Sequence, residues 1–478
     1  MNDNPTHATK RSRWQGHKTS AAPFKLALCY YAPESELGFL SMPLASISAY
    51  VKKMLPDTQI RLFRVLAKDI AGGLSEASAF ANQISGWQPD LIAVSLMTPH
   101  WPRMKNHLVA VKQKMPNTPV LIGGYQAIVD SHETIAFDPV DFICTGDGEM
   151  PTADLIRYLS GEHIAPVKGL WEKMADGSMQ KTPSIQIDDL SCLPFPDYSL
   201  YEELSNLRRV DTTMIEGDNE FVLPVMTGRG CSYRCTYCSN TYLMDAWRNT
   251  SKFLRKYPLE SMIDELIRLK ETYKVDHFEF WDELFMSRMD YTKTFLALYR
   301  QKVGVPFTIQ GRVEKMSADF CKLAADAHCH TIFFGIESGD YNYRKNVLKR
   351  TMSNQQIKDA AKNCADVGIN RLTFNIVGMP FETKTQMQET LKLNEAIRPE
   401  FFYFFTYIPL KGTRLYDLAQ DNNLLLDDAQ TKVHYLDEYD AEFRMNIKEH
   451  PQGMTNDEFH HVCTLMKMFQ EKNNRLSH

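Results

Sequence analysis

The chain has 478 residues, which is enough for two or three domains of ordinary size. Hydrophobic residues make up 44% and the formal net charge is −5, so sizeable cores can form and no global basic field favours nucleic acid. The sequence has no apolar run long enough to span a membrane, and its ten cysteines are scattered rather than evenly paired. Scattered cysteines favour a reducing compartment, so we expect a cytoplasmic protein that partners neither a membrane nor a nucleic acid.

The N-terminal residues are polar and basic, with Lys10, Arg11, Arg13 and Lys18. They lack the apolar core of a signal peptide. We therefore expect residues 1–22 to form a disordered, solvated tail.

Short apolar runs alternate with helical patterns over residues 23–165. The predicted strands are at residues 25–31, 60–65, 91–97, 119–124 and 141–146. Strands that alternate with helices indicate βαβ units and a parallel sheet covered by helices on both faces. The sequence therefore predicts a Rossmann-like α/β domain over these residues.

Ligands of such sheets bind at the carboxyl ends of the strands. Paired glycines after a strand let a ligand approach the backbone closely, although such a pair is by itself more often a simple turn. The candidate ligand contacts at these ends are Ser95, Thr98, Gly123, Gly124, Gly146 and Glu149.

A connector with many prolines and aromatic residues follows, and we predict a linker over residues 166–216. Strand and helix patterns then alternate again. The predicted strands are at residues 221–227, 277–281, 306–312, 330–336, 371–377 and 400–408. These βα repeats predict a partial TIM-like (β/α)6 barrel over residues 217–415, with its active site at the carboxyl ends of the strands. Residues 416–478 are predicted to be a helical C-terminal region, in which Thr455 and Glu458 fit a capping box.

Three cysteines stand together in the stretch GRGCSYRCTYCSN, with the spacing C-x3-C-x2-C. Cys231, Cys235 and Cys238 are too few for a structural zinc site, and their number is odd for disulfides. Three thiolates can hold three corners of a [4Fe–4S] cluster and leave the fourth iron open for a substrate or cofactor. The competing interpretation is a set of buried structural cysteines. Arg229 and Arg234 flank the site, and their positive charge would favour thiolates and an anionic cluster.

This loop resembles the signature of the radical S-adenosylmethionine (SAM) family, in which an aromatic residue precedes the last cysteine. Here that residue is Tyr237, a predicted SAM contact. The resemblance implies a [4Fe–4S] cluster whose open iron is chelated by the amino and carboxylate groups of SAM. Electron transfer then cleaves a carbon–sulfur bond of SAM and yields a 5′-deoxyadenosyl radical, while the protein binds and orients the cofactors and excludes water.

The same resemblance implies further SAM contacts at the ends of successive barrel strands. Asp282 or Glu283 would receive the amino group, and Arg312 would pair with the carboxylate through two hydrogen bonds. Glu337 would accept from the ribose hydroxyls, and Gly378 would let the adenine lie against the backbone. A charged residue at a strand end is often a salt-bridge partner or a cap instead. The order of these residues along successive strands nevertheless favours the joint interpretation.

The order of Ser95, the glycine pair and the TGDGE stretch at residues 145–149 resembles the cobalamin-binding domain that precedes many radical enzymes. The resemblance implies that the candidate contacts of the first domain bind cobalamin, with its nucleotide tail near the serine and glycine loops. The D-x-H-x-x-G loop, whose histidine ligates cobalt, is absent after the first strand, and Gln126 stands where the family often has histidine. We therefore expect no cobalt-ligating histidine from that motif, and His100 is left open as a substitute.

These features together predict a cobalamin-dependent radical SAM enzyme that methylates an unactivated carbon or phosphorus centre. In the mechanism that the resemblance implies, methylcobalamin supplies the methyl group after the adenosyl radical has removed a hydrogen atom from the substrate. A second SAM then regenerates methylcobalamin. A cobalamin-dependent cyclase or rearrangement enzyme without methyl transfer has the same motifs and is the alternative. A cobalamin-sensing protein with a structural cluster is a more remote alternative.

The predicted partners are a small-molecule substrate, such as a natural-product or peptide intermediate, and an electron donor such as flavodoxin or ferredoxin. A methylthiolating transfer RNA enzyme is disfavoured, because such enzymes normally have a further set of cluster-binding cysteines in the N-terminal domain. Only Cys29 and Cys144 lie there.

Overall fold

The computed structural model describes residues 12–18, 22–32, 40–66, 74–162, 166–201, 221–248, 252–426 and 443–474. The chain divides into two compact units, Met1–Ile187 with Leu193–Glu202 and Asp188–Cys192 with Glu203–His478. Within the described ranges, no helix is both long enough and apolar enough to cross a membrane.

The described part of the first unit combines one large sheet with six α-helices. The strands are β1 (Lys25–Ala32), β2 (Gln59–Leu66), β3 (Leu91–Ser95), β4 (Val120–Gly123), β5 (Phe142–Cys144), β6 (Leu170–Lys173) and β7 (Met179–Lys181). The helices are α1 (Met42–Met54), α2 (Leu74–Trp87), α3 (Trp101–Lys114), α4 (Tyr125–Val129), α5 (Ser131–Ala136) and α6 (Glu149–Leu159). All of the strands predicted for this domain form, which confirms the α/β class.

The strands of this sheet lie in the order β2-β1-β3-β4-β5-β6-β7. Strands β1 to β5 are parallel, whereas β6 and β7 pair antiparallel. The order reverses at β1, because β2 lies on one side of it and β3 on the other. Ligands of doubly wound sheets bind at the carboxyl ends of the strands that flank such a reversal. Ser95, the last residue of β3, lies opposite Tyr30 of β1 at this crevice.

The prediction of a disordered tail is wrong for residues 12–18, which pack on the first unit. Trp14 is 1% exposed, and the ammonium group of Lys112 lies 5.3 Å from the centre of its indole ring. The backbone NH of Gly16 donates to the carbonyl of Tyr158 at 3.0 Å. A basic average composition does not reveal a single buried aromatic anchor, and this is why the sequence misled. Of the other residues of the predicted tail, only Ala22 belongs to the described residues.

The predicted linker over residues 166–216 also needs correction, because β6 and β7 lie within it and extend the first sheet. Trp171 of β6 pairs with Ile143 of β5, and the hydroxyl of Thr182 donates to the carbonyl of Leu170 at 2.8 Å. Strands of four and three residues are too short to show a clear periodicity in the sequence. The part of this range after Tyr201 lies outside the described residues.

The described part of the second unit combines a parallel sheet, a short antiparallel ribbon and nine α-helices. The strands are β8 (Val222–Val225), β9 (Gly228–Arg229), β10 (Arg255–Lys256), β11 (His277–Phe280), β12 (Phe307–Gly311), β13 (Cys329–Glu337), β14 (Asn370–Val377) and β15 (Phe401–Thr406). The helices are α7 (Ser239–Ala246), α8 (Leu259–Tyr273), α9 (Met289–Lys302), α10 (Ala318–Asp326), α11 (Tyr341–Asn346), α12 (Asn354–Ala365), α13 (Lys384–Ile397), α14 (Arg414–Asp421) and α15 (Asn456–Asn473).

The parallel sheet has the strand order β15-β14-β13-β12-β11-β8, whereas β9 and β10 pair only with each other. Consecutive strands of the sheet are neighbours, and helices lie in the connections between them. This open arrangement of six βα repeats confirms the predicted partial barrel. Its carboxyl edge, beyond Val225, Phe280, Gly311, Glu337 and Val377, is therefore where functional side chains are expected.

The last helix, α15, begins at the predicted capping box. The Thr455 hydroxyl accepts from the NH of Glu458 at 3.2 Å, and the Glu458 carboxylate accepts from the NH of Thr455 at 3.2 Å. Phe459 and Met466 of this helix are fully buried in the core of the second unit. The helical C-terminal prediction thus holds for α14 and α15, while residues 427–442 lie outside the described residues.

Candidate functional site

The three cysteines lie in the loop that follows β9 at the carboxyl end of β8 and leads into α7. Gly230 precedes the first cysteine with a φ of +92°, and a Cβ there would lie 2.1 Å from the carbonyl oxygen of Phe253. The loop therefore turns at a position that only glycine fits. Cys238 occupies the N-cap position of α7. Local structure thus places the cysteines at the edge of the half barrel where active sites form.

None of the three cysteines is in a disulfide; Cys235 is buried, whereas Cys231 and Cys238 are half-buried. Burial raises the pKa of Cys231 and raises that of Cys238 to about 12. Because thiolates are the metal ligands, such thiols release their protons when iron binds. Among the residues that the structure describes, no three His, Cys, Asp or Glu side chains meet closely enough to hold a single metal ion. A donor set made of three cysteine thiols is the kind that binds an iron–sulfur cluster.

Arg312 follows β12 and reaches the cysteine loop. Its Nη1 lies 3.6 Å from Sγ of Cys235, and its guanidinium carbon lies 3.7 Å from the centre of the Tyr233 ring. Its Nε and Nη2 donate to the carboxylate of Glu314 at 3.2 and 2.7 Å. The Nε–Nη2 edge of the Arg312 guanidinium group, which could form two parallel hydrogen bonds with a carboxylate, is therefore already paired with Glu314. Arg312 could offer this edge to the SAM carboxylate only if Glu314 released it, and the pairing with SAM stays a prediction.

The two adjacent carboxylates after β11 have different environments. Asp282 is 2% exposed and forms an ion pair with Lys256 at 2.7 Å. It also accepts from the hydroxyl and the NH of Thr227 at 2.5 and 2.9 Å, so its oxygen atoms already have partners within the protein. Its assignment to SAM stays a prediction. Glu283 is exposed and accepts from the NH of Gly230 at 3.0 Å beside the cysteine loop. Desolvation raises its pKa, because protein surrounds the carboxyl on several sides.

Tyr237 and Glu337, which come from separate motifs, meet in the structure. The Tyr237 hydroxyl donates to Glu337 at 2.9 Å, and Nη1 of Arg350 donates to the same hydroxyl at 3.2 Å. Arg350 also lies 3.7 Å from Glu337 and 3.8 Å from Sγ of Cys235. Burial raises the pKa of Glu337. No motif marks Arg350 in the sequence, so only the structure reveals that it lies beside the cysteine loop.

Gly378, which directly follows β14, is closely packed on the side where a Cβ would stand. Its φ is +73°, and a Cβ there would lie 2.8 Å from the ring of Phe459 and 3.3 Å from Met445. Its NH donates to the buried carboxyl of Glu382 at 2.8 Å. Side chains of the C-terminal region fill the space on the Cβ side of Gly378, and the adenine contact with its backbone stays a prediction.

In the first unit, Ser95 and Gly123 lie opposite each other at the carboxyl ends of β3 and β4. Gly124 has a φ of +83°, and a Cβ there would lie 2.7 Å from the backbone of Leu96, so the turn itself requires glycine. A Cβ at Gly123 would meet its nearest atom, in Cys144, only at 3.9 Å. Of the two glycines, Gly123 is thus the one beside which the fold leaves space.

Two buried polar atoms lie near these strand ends without a hydrogen-bond partner among the described residues. They are Oγ1 of Thr98 and Oε1 of Gln126, in side chains that are 6% and 0% exposed. The NH of Gln126 donates to the carbonyl of Leu96 at 3.0 Å, and its Nε2 donates to Thr134 at 3.0 Å. Buried polar atoms normally have partners, so these two fit the hydrogen-bonding groups of a cobalamin nucleotide tail.

Gly146 and Glu149 both have close contacts within the first unit. A Cβ at Gly146 would lie 2.2 Å from the carbonyl oxygen of Ile185, which passes directly over it. Glu149 is 2% exposed, and its Oε1 accepts from the hydroxyl of Ser46 at 2.7 Å. These contacts join Gly146 to the segment of Ile185 and α6 to α1, and the assignment of both residues as cobalamin contacts stays a prediction.

His100 lies in a short turn after β3, and its ring stacks on Tyr31 with 4.3 Å between the ring centres. Burial, and secondarily the charge of Arg103, lowers its pKa to about 4, so the imidazole is neutral near pH 7. A neutral imidazole is the form that ligates metals. The loop in which the missing histidine motif would stand, residues 33–39, lies outside the described residues.

Comparison with known proteins gives two domain matches. The family model of the B12 binding domain matches residues 45–156, and that of the radical SAM superfamily matches residues 225–393. The first range contains the crevice of the first unit, and the second contains the cysteine loop and the strands β11 to β14.

Individual relatives agree with these matches. An uncharacterized methyltransferase of Pyrococcus horikoshii is 26% identical over 382 residues, which are 79% of this chain and 79% of that protein. An anaerobic magnesium-protoporphyrin IX monomethyl ester cyclase of Rubrivivax gelatinosus is 23% identical over 358 residues, which are 72% of this chain and 61% of that protein. The structure of the radical SAM methyltransferase TsrM of Kitasatospora setae, with tryptophan substrate and a SAM analogue bound, covers 83% of this chain and 76% of its own. Its TM-score is 0.62 at 15% identity, which shows a common fold.

Proposed function

Because the chain belongs to the radical SAM superfamily and carries a B12 binding domain, we propose that it methylates an unactivated carbon or phosphorus centre of a small molecule. The methyl group passes through cobalamin in this proposal. The observation that carries it is the cysteine loop at the carboxyl edge of the half barrel, in a chain whose other unit has a ligand crevice with unsatisfied polar atoms. The methyltransferase relatives support methyl transfer in particular.

When bound, a [4Fe–4S] cluster would supply the electron that cleaves SAM, and cobalamin would carry the methyl group. The residues of the chain bind and orient these groups. Cys231, Cys235 and Cys238 hold the cluster and leave one iron for SAM. Glu283, exposed beside the loop, accepts from the ammonium group of SAM, and the Glu337 carboxylate faces its ribose.

In the first unit, the proposed cobalamin contacts are those that the fold leaves available. Gly123 allows the nucleotide tail to approach the backbone, and Ser95 lies opposite it. Thr98 and Gln126 offer buried atoms that can hydrogen-bond to the tail. In the sequence, Gln126 stands out only as a departure from the family pattern. Its buried, unsatisfied oxygen is the feature that brings it into the site.

We also propose that an acidic electron-transfer protein such as flavodoxin or ferredoxin reduces the cluster. Arg234, Arg248 and Arg414 surround Asp245 on the surface, at 2.7, 2.6 and 3.3 Å. Arg234 belongs to the cysteine loop itself. The excess of positive charge at this place favours an acidic partner, since complementary charge accelerates association.

A reducing, cytoplasmic setting is consistent with the cysteines. All ten lie in the described ranges and none forms a disulfide. The sulfur atoms of Cys321 and Cys364 lie 3.7 Å apart, which is hydrogen-bond distance for two thiols. A cytoplasm with reducing thiol systems keeps such a pair reduced.

The test of methyl transfer uses anaerobically reconstituted protein, a low-potential reductant and SAM with an isotopically labelled methyl group, with candidate substrates screened by mass spectrometry. Methyl transfer through cobalamin consumes two SAM molecules per turnover. We therefore expect 5′-deoxyadenosine, S-adenosylhomocysteine and labelled product to accumulate in equal amounts. A product without label would contradict the proposal.

Such an unlabelled product would support the second candidate function, a cyclase or rearrangement enzyme. The relationship to the cyclase of Rubrivivax gelatinosus is the observation in its favour. In that case 5′-deoxyadenosine would form, or SAM would be recycled, without matching S-adenosylhomocysteine.

A further inference from the structure

Two guanidinium groups point at the same cysteine sulfur in the second unit. Arg312 comes from the end of β12 and Arg350 from the segment between α11 and α12, and each directs Nη1 at Sγ of Cys235, at 3.6 and 3.8 Å. The two side chains are 7% and 4% exposed. Cys231, by contrast, accepts from the backbone NH of Tyr233 at 3.5 Å, which is a neutral donor. Cys235 is therefore the member of the triad with charged donors from two separate elements.

Both guanidinium groups are held rigidly by other contacts. Arg312 is fixed by the Glu314 carboxylate and by the Tyr233 ring. Arg350 donates to the carbonyl of Gly335 and to the hydroxyl of Tyr237. These contacts hold the two guanidinium groups with their N–H groups facing the Cys235 sulfur.

We propose that Arg312 and Arg350 are positioning residues that set the reduction potential of the cluster by donating hydrogen bonds to the Cys235 thiolate. The inference rests on the proposed function, which supplies the [4Fe–4S] cluster. One-electron reduction adds a negative charge that spreads over the irons and their sulfur ligands. Donors and positive charges at a ligating sulfur stabilise the more negative state and so raise the potential. The electron comes from an external low-potential one-electron reductant, and no bond to the arginines forms or breaks.

The two arginines are not equivalent. Glu314 contacts two nitrogen atoms of Arg312, at 3.2 and 2.7 Å, so a carboxylate offsets most of that charge. Glu337 approaches Arg350 at 3.7 Å only. Its Nε is buried and has no hydrogen-bond partner among the described residues. The charge of Arg350 is therefore less compensated, and its removal is expected to have the larger effect on the potential.

The experiment is a redox titration of the anaerobically reconstituted full-length protein without SAM or substrate, followed by the EPR signal of the reduced cluster. Arg350→Gln is expected to lower the equilibrium constant for reduction about tenfold, which for a one-electron couple is a midpoint potential about 59 mV more negative. Arg350→Lys keeps the positive charge but loses the planar guanidinium group, so we expect a smaller shift of the midpoint potential. Arg312→Gln should also shift the midpoint potential less than Arg350→Gln does.

Arg234→Gln is the matched control. Arg234 is next to Cys235 in the chain, but it pairs with Asp245 on the surface at 2.7 Å and its side chain is 38% exposed. Solvent screens such a charge, so the control should titrate like the wild type. A shift as large in this control as in Arg350→Gln would show that any loop charge suffices and would overturn the inference.

Iron content separates a change of potential from loss of the cluster. Wild-type midpoints in iron-replete Arg350→Gln and Arg312→Gln would overturn the inference. If Arg350→Gln does not retain iron, the midpoint potentials of Arg350→Lys and Arg312→Gln become the test. Wild-type midpoint potentials in both variants would contradict the inference. Failure of the proposed function is a separate outcome. A protein without a labelled methyl product whose potential shifts as expected would leave this inference standing.

Discussion

At the scale of single residues, burial separates neighbours that the sequence cannot tell apart. Asp282 and Glu283 have the same functional group and follow the same strand. Asp282 is buried in an ion pair with Lys256, whose side chain is 5% exposed, whereas Glu283 is exposed beside the cysteine loop. The first therefore contributes to stability and the second is available to a ligand.

The pair gives a matched prediction. Asp282→Asn leaves the Lys256 ammonium buried without its counter-charge, and we expect a loss of about 3–5 kcal/mol in the free energy of unfolding. Glu283→Gln keeps an oxygen that can accept from Gly230, so its stability should change by less than about 0.5 kcal/mol. It loses a charge-assisted hydrogen bond to the SAM ammonium group, worth about 1.5–3 kcal/mol, which corresponds to a Kd raised roughly 10–100-fold.

Denaturant titration measures the first effect and anaerobic equilibrium dialysis with SAM measures the second. An Asp282→Asn protein of wild-type stability that no longer binds SAM would reverse the two assignments.

At the scale of elements, the two ends of the barrel strands differ in character. The carboxyl ends carry the cysteine loop and its charged neighbours, whereas the amino ends carry side chains that join the strands. His277, the first residue of β11, is 1% exposed, and its Nε2 lies 2.9 Å from the hydroxyl of Thr308 on β12. The ring of His330 on β13 packs edge-on against it at 5.8 Å between centres.

This arrangement predicts loss of stability in acid. Burial, and secondarily His330, lowers the pKa of His277 to about 3, whereas the unfolded chain has a histidine pKa of about 6.5. Between these values the unfolded state binds the extra proton, so the free energy of unfolding falls as pH falls below about 6.5 and continues to fall to about 3. At pH 5 the loss relative to pH 7 is about 2 kcal/mol from this residue.

Denaturant titrations at pH 7 and pH 5 test this. His277→Gln removes the titrating group, so its stability should depend less on pH than that of the wild type. His461→Gln, a change at an exposed position of α15, should leave the wild-type difference intact. Equal pH dependence of His277→Gln and the wild type would contradict the assignment.

At the scale of the whole molecule, each compact unit has its own sheet, its own core and its own set of candidate cofactor contacts. The fold of one unit is therefore expected to survive a change that removes the cofactor of the other. Gly123 suits such a test because a larger side chain there meets only ordinary contacts within the protein, with the nearest atom at 3.9 Å.

We predict that the two cofactors can be lost separately. Replacement of Cys231, Cys235 and Cys238 by alanine should abolish iron binding and leave cobalamin retention unchanged. Gly123→Val should have the reverse effect, because its branched side chain fills the space that the nucleotide tail needs. Gly86→Ala, in a helix with open space around it, is the control for the first unit. Iron and cobalamin contents by elemental analysis and absorption spectra give the result; full cobalamin content in Gly123→Val would contradict the placement.

The α/β class, eleven strands of the two large sheets and the position of the cysteine loop can all be predicted from the sequence alone. These features depend on local periodicity and on spacing within a short stretch, and neither requires contacts with distant residues. The capping box of α15 can also be predicted, because Thr455 and Glu458 interact within one helical turn.

Which partners surround each candidate side chain depends on the tertiary structure. Asp282, Gly146 and Gly378 have the right residue types, but Lys256, Ile185 and Phe459 come from elsewhere in the chain and occupy them. Arg350 lies beside Cys235 although 115 positions separate the two residues. The same explanation applies to Asp282, Gly146, Gly378 and Arg350. Burial and hydrogen-bond partners are set by contacts between distant segments, and residue type and spacing carry no record of those contacts.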